Sequence, residues 1–209
     1  MPSSSTTSST FFTLTSRLHR LLDRLAALLQ PFDGLPSLAL RLYLAPVFWT
    51  AGMNKLAAFS DTVAWFGADG LGLPFPTLMA SLATATELSG AVLLTLGLFT
   101  RWISIPLIVT MLVAIFAVHW PNGWQAIADQ TAPFANARVM AAGDKIQAAR
   151  EILKQYGNYD WLTESGNFAI INNGMEFAVT YMVMLLALIK MGGGRYISLD
   201  YWLVRTTKK

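Results

Sequence analysis

The chain has no cysteine. That excludes disulfides, thiol nucleophiles and cysteine-ligated zinc or iron–sulfur clusters within it. Charge is also scarce. Asp, Glu, Lys and Arg make up 13% of the 209 residues, against about 25% in an average soluble domain. There are two histidines, His19 and His119. Because His19 is placed outside the membrane below, no haem held by two histidines between helices is expected. No GxGxxG run occurs, and no dense basic run apart from Lys208-Lys209. The net charge of +3 is therefore read as membrane topology, with no nucleic acid as a partner. The first ten residues, MPSSSTTSST, lack the basic start and apolar stretch of a cleavable signal peptide.

What the chain does have is hydrophobic length: 54% of its residues are apolar. Four stretches have the roughly 20 residues that cross a bilayer as helix, at 38–59, 77–99, 102–120 and 168–191. The predicted fold class is all-α, an integral membrane four-helix antiparallel bundle. Residues 1–37 form a first segment, with a Ser/Thr-rich start expected to be disordered. It continues as a basic amphipathic helix at 16–30, with Leu18, Leu21, Leu22, Leu25, Leu28 and Leu29 on one face and Arg17, Arg20 and Arg24 on the other. That helix lies either on the membrane surface or against the rest of the protein. Residues 38–202 form the membrane domain and 203–209 a basic tail.

Lys and Arg set the expected orientation. Residues 60–76 contain neither, whereas the N-terminal segment and the tail are basic. Both termini are thus expected in the cytoplasm, in a multi-pass inner-membrane protein whose first partner is the lipid bilayer. A helix is expected to start at Ser60 or Asp61. A second, outer amphipathic helix is expected over 133–156, with Val139, Ala142, Ile146, Ala149, Leu153 and Tyr156 on one face.

The most informative residue is Glu87, the only charge in the second stretch. A carboxylate at mid-membrane is expensive, faces a protein interior or wet cavity, and needs a partner. Lys55, Asn54, His119 and Glu176 lie within a turn or two of the outer ends of their stretches, at about 1.5 Å per residue. Arg41, Arg101 and Lys190 lie near the inner ends and read as topology anchors. The outer layer predicts a ligand site walled by Trp49, Asn54, Lys55, Glu87, His119 and Glu176 and roofed by the third-loop helix. Glu87 and His119 are its candidate catalytic groups, able to relay protons. Trp49, Asn54, Lys55 and Glu176 are its candidate binding groups for a quinone-like headgroup. The plainer readings are a structural Lys55–Glu87 ion pair, snorkelling of Lys55 and His119, and Glu176 as a helix-start carboxylate. The nine methionines read as packing, and no metal site is expected.

Several motifs carry a family resemblance. They are AGMNKL at 51–56, ATELSGAVLLTLGLFTR at 85–101, AIFAVHW at 114–120, NNGMEF at 172–177 and GGGRYISLD at 192–200. Together they resemble the DoxX family over about residues 38–202. The resemblance implies a four-helix bacterial inner-membrane protein, related to the small membrane subunit of a thiosulfate:quinone oxidoreductase. Its motif positions here are Gly52, Lys55, Glu87, Arg101, His119 and Glu176. The expected role is a subunit of a redox system that engages quinone or an operon-encoded redox partner protein, with a second copy of the chain as a further candidate partner. If it is an enzyme, it is part of a quinone-linked oxidoreductase. The alternative is a non-enzymatic scaffold or a small-solute or metal transporter.

Overall fold

The computed structural model describes residues 19, 22–24 and 27–207. The start of the chain, most of the basic face of the first helix (Arg17 and Arg20 included) and Lys208-Lys209 lie outside the described residues. Positions 22–24 and 27–29 are helical.

Helix α1, Leu35–Ala57, has Pro36 in its first turn, where the missing N–H costs nothing. At Ala58 the chain leaves helical geometry (φ −118°, ψ 52°) and restarts at once as α2, Phe59–Phe66. This restart falls ahead of Ser60 and Asp61, so neither side chain caps the helix; Asp61 sits in its first turn. Helix α3, Pro76–Leu96, opens with proline. It closes at Gly97 in the left-handed region (φ 61°), with the Leu98 amide donating to the Leu93 carbonyl at 3.0 Å and the Gly97 amide to Leu94 at 3.2 Å, a glycine stop. Helix α4 runs Thr100–Val113 and continues through a π-helical turn, Ala114–His119, and a 3-10 turn, Trp120–Asn122.

The third loop holds α5, Ala137–Tyr156, capped by the Asn136 side chain accepting from the Val139 amide at 2.9 Å, and α6, Tyr159–Thr163. Helix α7, Glu176–Met191, and α8, Leu199–Thr207, complete the described chain. Two of these helices are long and apolar enough to cross a membrane, Pro76–Leu96 and Thr100–Asn122. The expected fourth span starts eight residues later than the sequence suggests. Residues 168–175 are extended or turn, with Asn173 at φ 58° and an antiparallel bridge between Ile127 and Ile171. The helix that remains, 16 residues, is about 24 Å long.

One apolar core joins α1, α3, α4 and α7 through Leu44, Phe48, Ala91, Leu94, Leu107 and Leu185, among others. Small residues set the closest approaches. A β-carbon at Gly52 of α1 would fall 2.8 Å from the Leu88 side chain of α3, and one at Gly90 would fall 2.9 Å from Leu107 of α4. Polarity is distributed inside out. Arg41, Thr84, Glu87 and Ser104 are buried, whereas Leu82, Val109, Phe116 and Trp102 are exposed, the pattern of a surface that meets lipid.

Candidate functional site

The partner that Glu87 requires is Lys55. The ammonium donates to both carboxylate oxygens, at 2.9 Å to Oε1 and 2.8 Å to Oε2. Glu87 is 4% exposed, and the Lys55 side chain 27%. The pair exists because Gly52, one turn before Lys55, lets α1 lie directly on Leu88 and the β-carbon of Glu87. Both oxygens of Glu87 and two of the three Lys55 donors are thereby used; the third reaches toward the Ala51 carbonyl at 3.5 Å.

The pair lies in the wall of a cavity of about 510 Å³, within the roughly 300–1,000 Å³ range of small-molecule sites. The opposite wall is α4, with Pro106, Thr110, Met111 and His119. The roof is the first loop. Its Leu71 amide donates to the Trp65 carbonyl (2.8 Å) and its Leu73 amide to Phe66 (2.9 Å), folding Leu71 and Leu73 over the cavity beside Trp65 and Phe66. Gly70 is required there: a β-carbon would fall 2.3 Å from the Trp65 carbonyl oxygen. Leu82 and Val109, both 54% exposed, also line the cavity, so its side between α3 and α4 faces the surroundings of the bundle.

His119 is the ionisable group of the wall opposite the pair. It ends the π turn and also borders a second cavity, of about 340 Å³, shared with Tyr181 and Phe177 of α7. Its Nδ1 lies 2.9 Å from the Asn173 carbonyl. A carbonyl only accepts, so Nδ1 carries the hydrogen and Nε2 is left to exchange a proton.

Three of the six residues expected in one site thus share a cavity: Lys55, Glu87 and His119. The others sit elsewhere. Trp49 lines a groove on the far side of α1, with Pro46, Val92 and Leu96. Asn54 is exposed, one position off the Lys55 face. Glu176 turns to the third loop, its Oε2 accepting from the Ala126 amide at 3.0 Å. Helix α5 contributes nothing to the cavity lining. Its Val139 and Ala142 are buried, but Tyr156 at its far end is 78% exposed.

NNGMEF proves to be the joint that ties the third loop down. Asn172, 2% exposed, donates from Nδ2 to the Asn122 and Gln125 carbonyls (2.9 and 2.7 Å), and its Oδ1 accepts from Arg138 Nε at 3.0 Å. The Asn173 carbonyl also accepts from Asn122 Nδ2 (3.0 Å), and Gly174 passes so close that a β-carbon would meet the Gln125 carbonyl oxygen at 2.3 Å. Farther out, Asp129 accepts from the hydroxyl and the amide of Thr131, at 2.7 and 2.9 Å. Those two bonds hold its carboxyl below the usual range.

A second polar node lies at the other end of the helices. Arg41 is fully buried and is not merely an anchor. Nη1 donates to the Leu94 carbonyl at 3.0 Å, and Nη2 to Tyr196 and Ile197 at 2.8 and 3.1 Å. Gly97 makes room: a β-carbon would fall 2.4 Å from Nη1. Asp200 completes the node, its carboxylate accepting from the Phe99 and Thr100 amides at 2.7 and 3.0 Å, where a negative charge suits a helix start.

The fold and these two nodes define the class: an all-helical membrane protein with a buried interhelical ion pair at a cavity. Residues 37–120 match the family model described as DoxX, so that stretch, less than half of the chain, carries a DoxX-type domain. The chain is similar to the Bacillus subtilis (strain 168) protein named "Putative oxidoreductase CatD", 34% identical over 82 residues, 39% of this chain and 58% of that protein. It is also similar to the Escherichia coli (strain K12) "Inner membrane protein YphA", 31% identical over 94 residues, 44% of this chain and 64% of that protein. The matched part thus spans about three fifths of each relative's length. No solved structure matches.

Proposed function

We propose that this chain is the membrane subunit of a redox system, that α1, α3, α4 and α7 cross the inner membrane as an antiparallel bundle with both termini cytoplasmic, and that the cavity beside Lys55 and Glu87 takes a quinone-like headgroup. One observation carries the reading: a buried ion pair and a histidine with one committed nitrogen share a mostly apolar cavity of about 510 Å³. The donor set fits the group. A quinone offers two carbonyl acceptors on a flat ring, and the wall offers an ammonium, an imidazole and the flat faces of Trp65 and Phe66. Bound there, it would supply two-electron chemistry with proton uptake. Lys55 would hold a carbonyl of the ring with the donor that otherwise reaches only toward Ala51 at 3.5 Å, and its charge would stabilise negative charge there. Glu87 holds Lys55 in place, and His119 would pass a proton at Nε2. Without cysteine, this chain has no iron–sulfur ligands of its own, so electrons reach the site from a partner protein.

A transport role needs a polar path to Arg41. Instead Leu44, Phe48, Ala91, Leu94 and Leu107 are buried between the two nodes, which favours the redox reading. The relative named as an oxidoreductase supports the same choice. Quinone titration of the purified protein, followed by quenching of tryptophan fluorescence, tests it. Saturable binding that weakens at least ten-fold in both Glu87→Leu and His119→Ala is expected. Absent binding, or binding unchanged in both variants, overturns the proposal. Reporter fusions after Pro76 and after Lys209 should report opposite sides of the membrane.

A further inference from the structure

We infer that the groove at the Arg41 end of the helices binds the phosphate of an anionic phospholipid. The inference rests on the bilayer placement proposed above and is independent of the quinone site. The groove is large, about 1,090 Å³, and lies between the start of α4, the glycine turn 192–194 and α8. Three arginines line it, Arg101, Arg195 and Arg205, with two carboxylates, Asp33 and Asp200.

The two carboxylates offset two of the three arginine charges and leave the groove net positive. Asp33 is paired with Arg195 at 2.7 Å. Both oxygens of Asp200 are taken by the Phe99 and Thr100 amides. Arg101 and Arg205 are exposed, and among the described residues neither has a carboxylate within ion-pair distance. The Arg101 side chain lies across the turn, its Nε 2.8 Å from where a β-carbon at Gly192 would be. Gly192 takes φ +69°, so the bare turn is required twice over.

The flanks say that the phosphate comes with acyl chains. Trp102 is 72% exposed beside Arg101, and Ile105 and Val109 continue its exposed stripe along α4 at helical spacing. Trp202 and Leu199 of α8 are exposed as well. Tryptophan next to arginine at the end of an apolar helix face is the arrangement that meets a lipid headgroup.

The test uses the full chain in nanodiscs of zwitterionic phosphatidylcholine doped with brominated phosphatidylglycerol or brominated phosphatidylcholine at equal fraction. Quenching of the tryptophan that Trp102→Phe removes is the readout. The anionic lipid should quench at about five-fold lower mole fraction than the zwitterionic one, and Arg101→Gln should cost most of that preference. Arg205→Gln should cost a similar share, and both sites are exposed, so folding is retained. Equal quenching by the two lipids overturns the proposal, as does a preference unchanged in both variants, which puts the anionic lipid elsewhere. Competition by millimolar inorganic phosphate or glycerophosphate would make the occupant a soluble phosphate, which also refutes it. Failure to insert into discs of either composition would instead overturn the bilayer placement itself.

Discussion

Replacing Lys55 with Met removes the one cation bonded to Glu87 and leaves a carboxylate that is 4% exposed facing Leu88, Met111 and an apolar cavity. Breaking a buried pair from one side costs about 3–5 kcal/mol, mostly through the group left behind. Lys55 is itself partly open, which puts the loss near the lower limit, about 3 kcal/mol. Glu87→Leu is not its mirror image. The stranded group is then a long, flexible amine whose side chain is already 27% exposed and can swing outward, so about 1–2 kcal/mol is expected. The double variant fills both positions with apolar groups of similar size and should lie within about 1 kcal/mol of the parent. Reversible unfolding of the four proteins in mixed micelles closes the cycle, and a coupling of about 3–5 kcal/mol is expected. Interhelical hydrogen bonds in membranes average about 0.6 kcal/mol in such cycles. A coupling at or below that figure, or Glu87→Leu costing more than Lys55→Met, would refute the claim that this pair is a desolvated unit.

Gly52→Val places a branched side chain where a single β-carbon already lies 2.8 Å from Leu88; it should cost about 2–3 kcal/mol in thermal or denaturant unfolding and weaken quinone binding as α1 moves off α3. Gly97→Ala combines φ 61° with a 2.4 Å approach to Arg41, so a loss of at least about 2 kcal/mol is expected, visible as a lower melting temperature. Asn172→Ala removes two donors from the third-loop joint; hydrogen exchange should speed by ten-fold or more over 122–140 while α3 and α4 remain protected.

Where the helices lie was legible because long apolar runs broken by Pro and Gly leave few choices. Glu87 was legible as a buried, partnered carboxylate because its charge has no cheap place to go. Lys55 as its partner was also within reach. Arg41, Leu44, Phe48, Gly52 and Lys55 fall at steps of three, four, four and three along α1, one continuous stripe at about 100° per residue. The same stripe shows why Arg41 is buried and why Trp49 and Asn54 are not in the site: each is turned about 100–120° from Lys55 on the helix. That angular test was available in the sequence. The fate of Glu176 was not. Its carboxylate binds an amide 50 positions earlier, and nothing local to NNGMEF announces that its backbone folds onto 122–126. The roof of the cavity was misassigned for a related reason. The amphipathic pattern of α5 marks a face, yet only its first turns find a partner, whereas the unpatterned Gly/Pro loop at 67–75 closes the cavity through backbone bonds to α2.

The two cations on the inner face of α1, Arg41 and Lys55, are satisfied in different ways. Arg41 spends its guanidinium on main-chain carbonyls from α3 and the turn before α8, acceptors that neither titrate nor move without unwinding the fold. A planar, permanently charged group with several fixed donors suits that lock. Lys55 spends its ammonium on a side chain, at the edge of a cavity, opposite a histidine. Every member of that second set is a side chain bordering the cavity, not main chain holding the helices. Some twenty ångströms of α1 separate the two, at about 1.5 Å per residue, and the core between them is apolar. A perturbation of the Lys55 site therefore has no polar route to the Arg41 lock. The arrangement sets an ion pair and a histidine beside a cavity at one end of the helices and a clasp on main-chain carbonyls at the other, so the proposed quinone site can be altered without unlocking the fold.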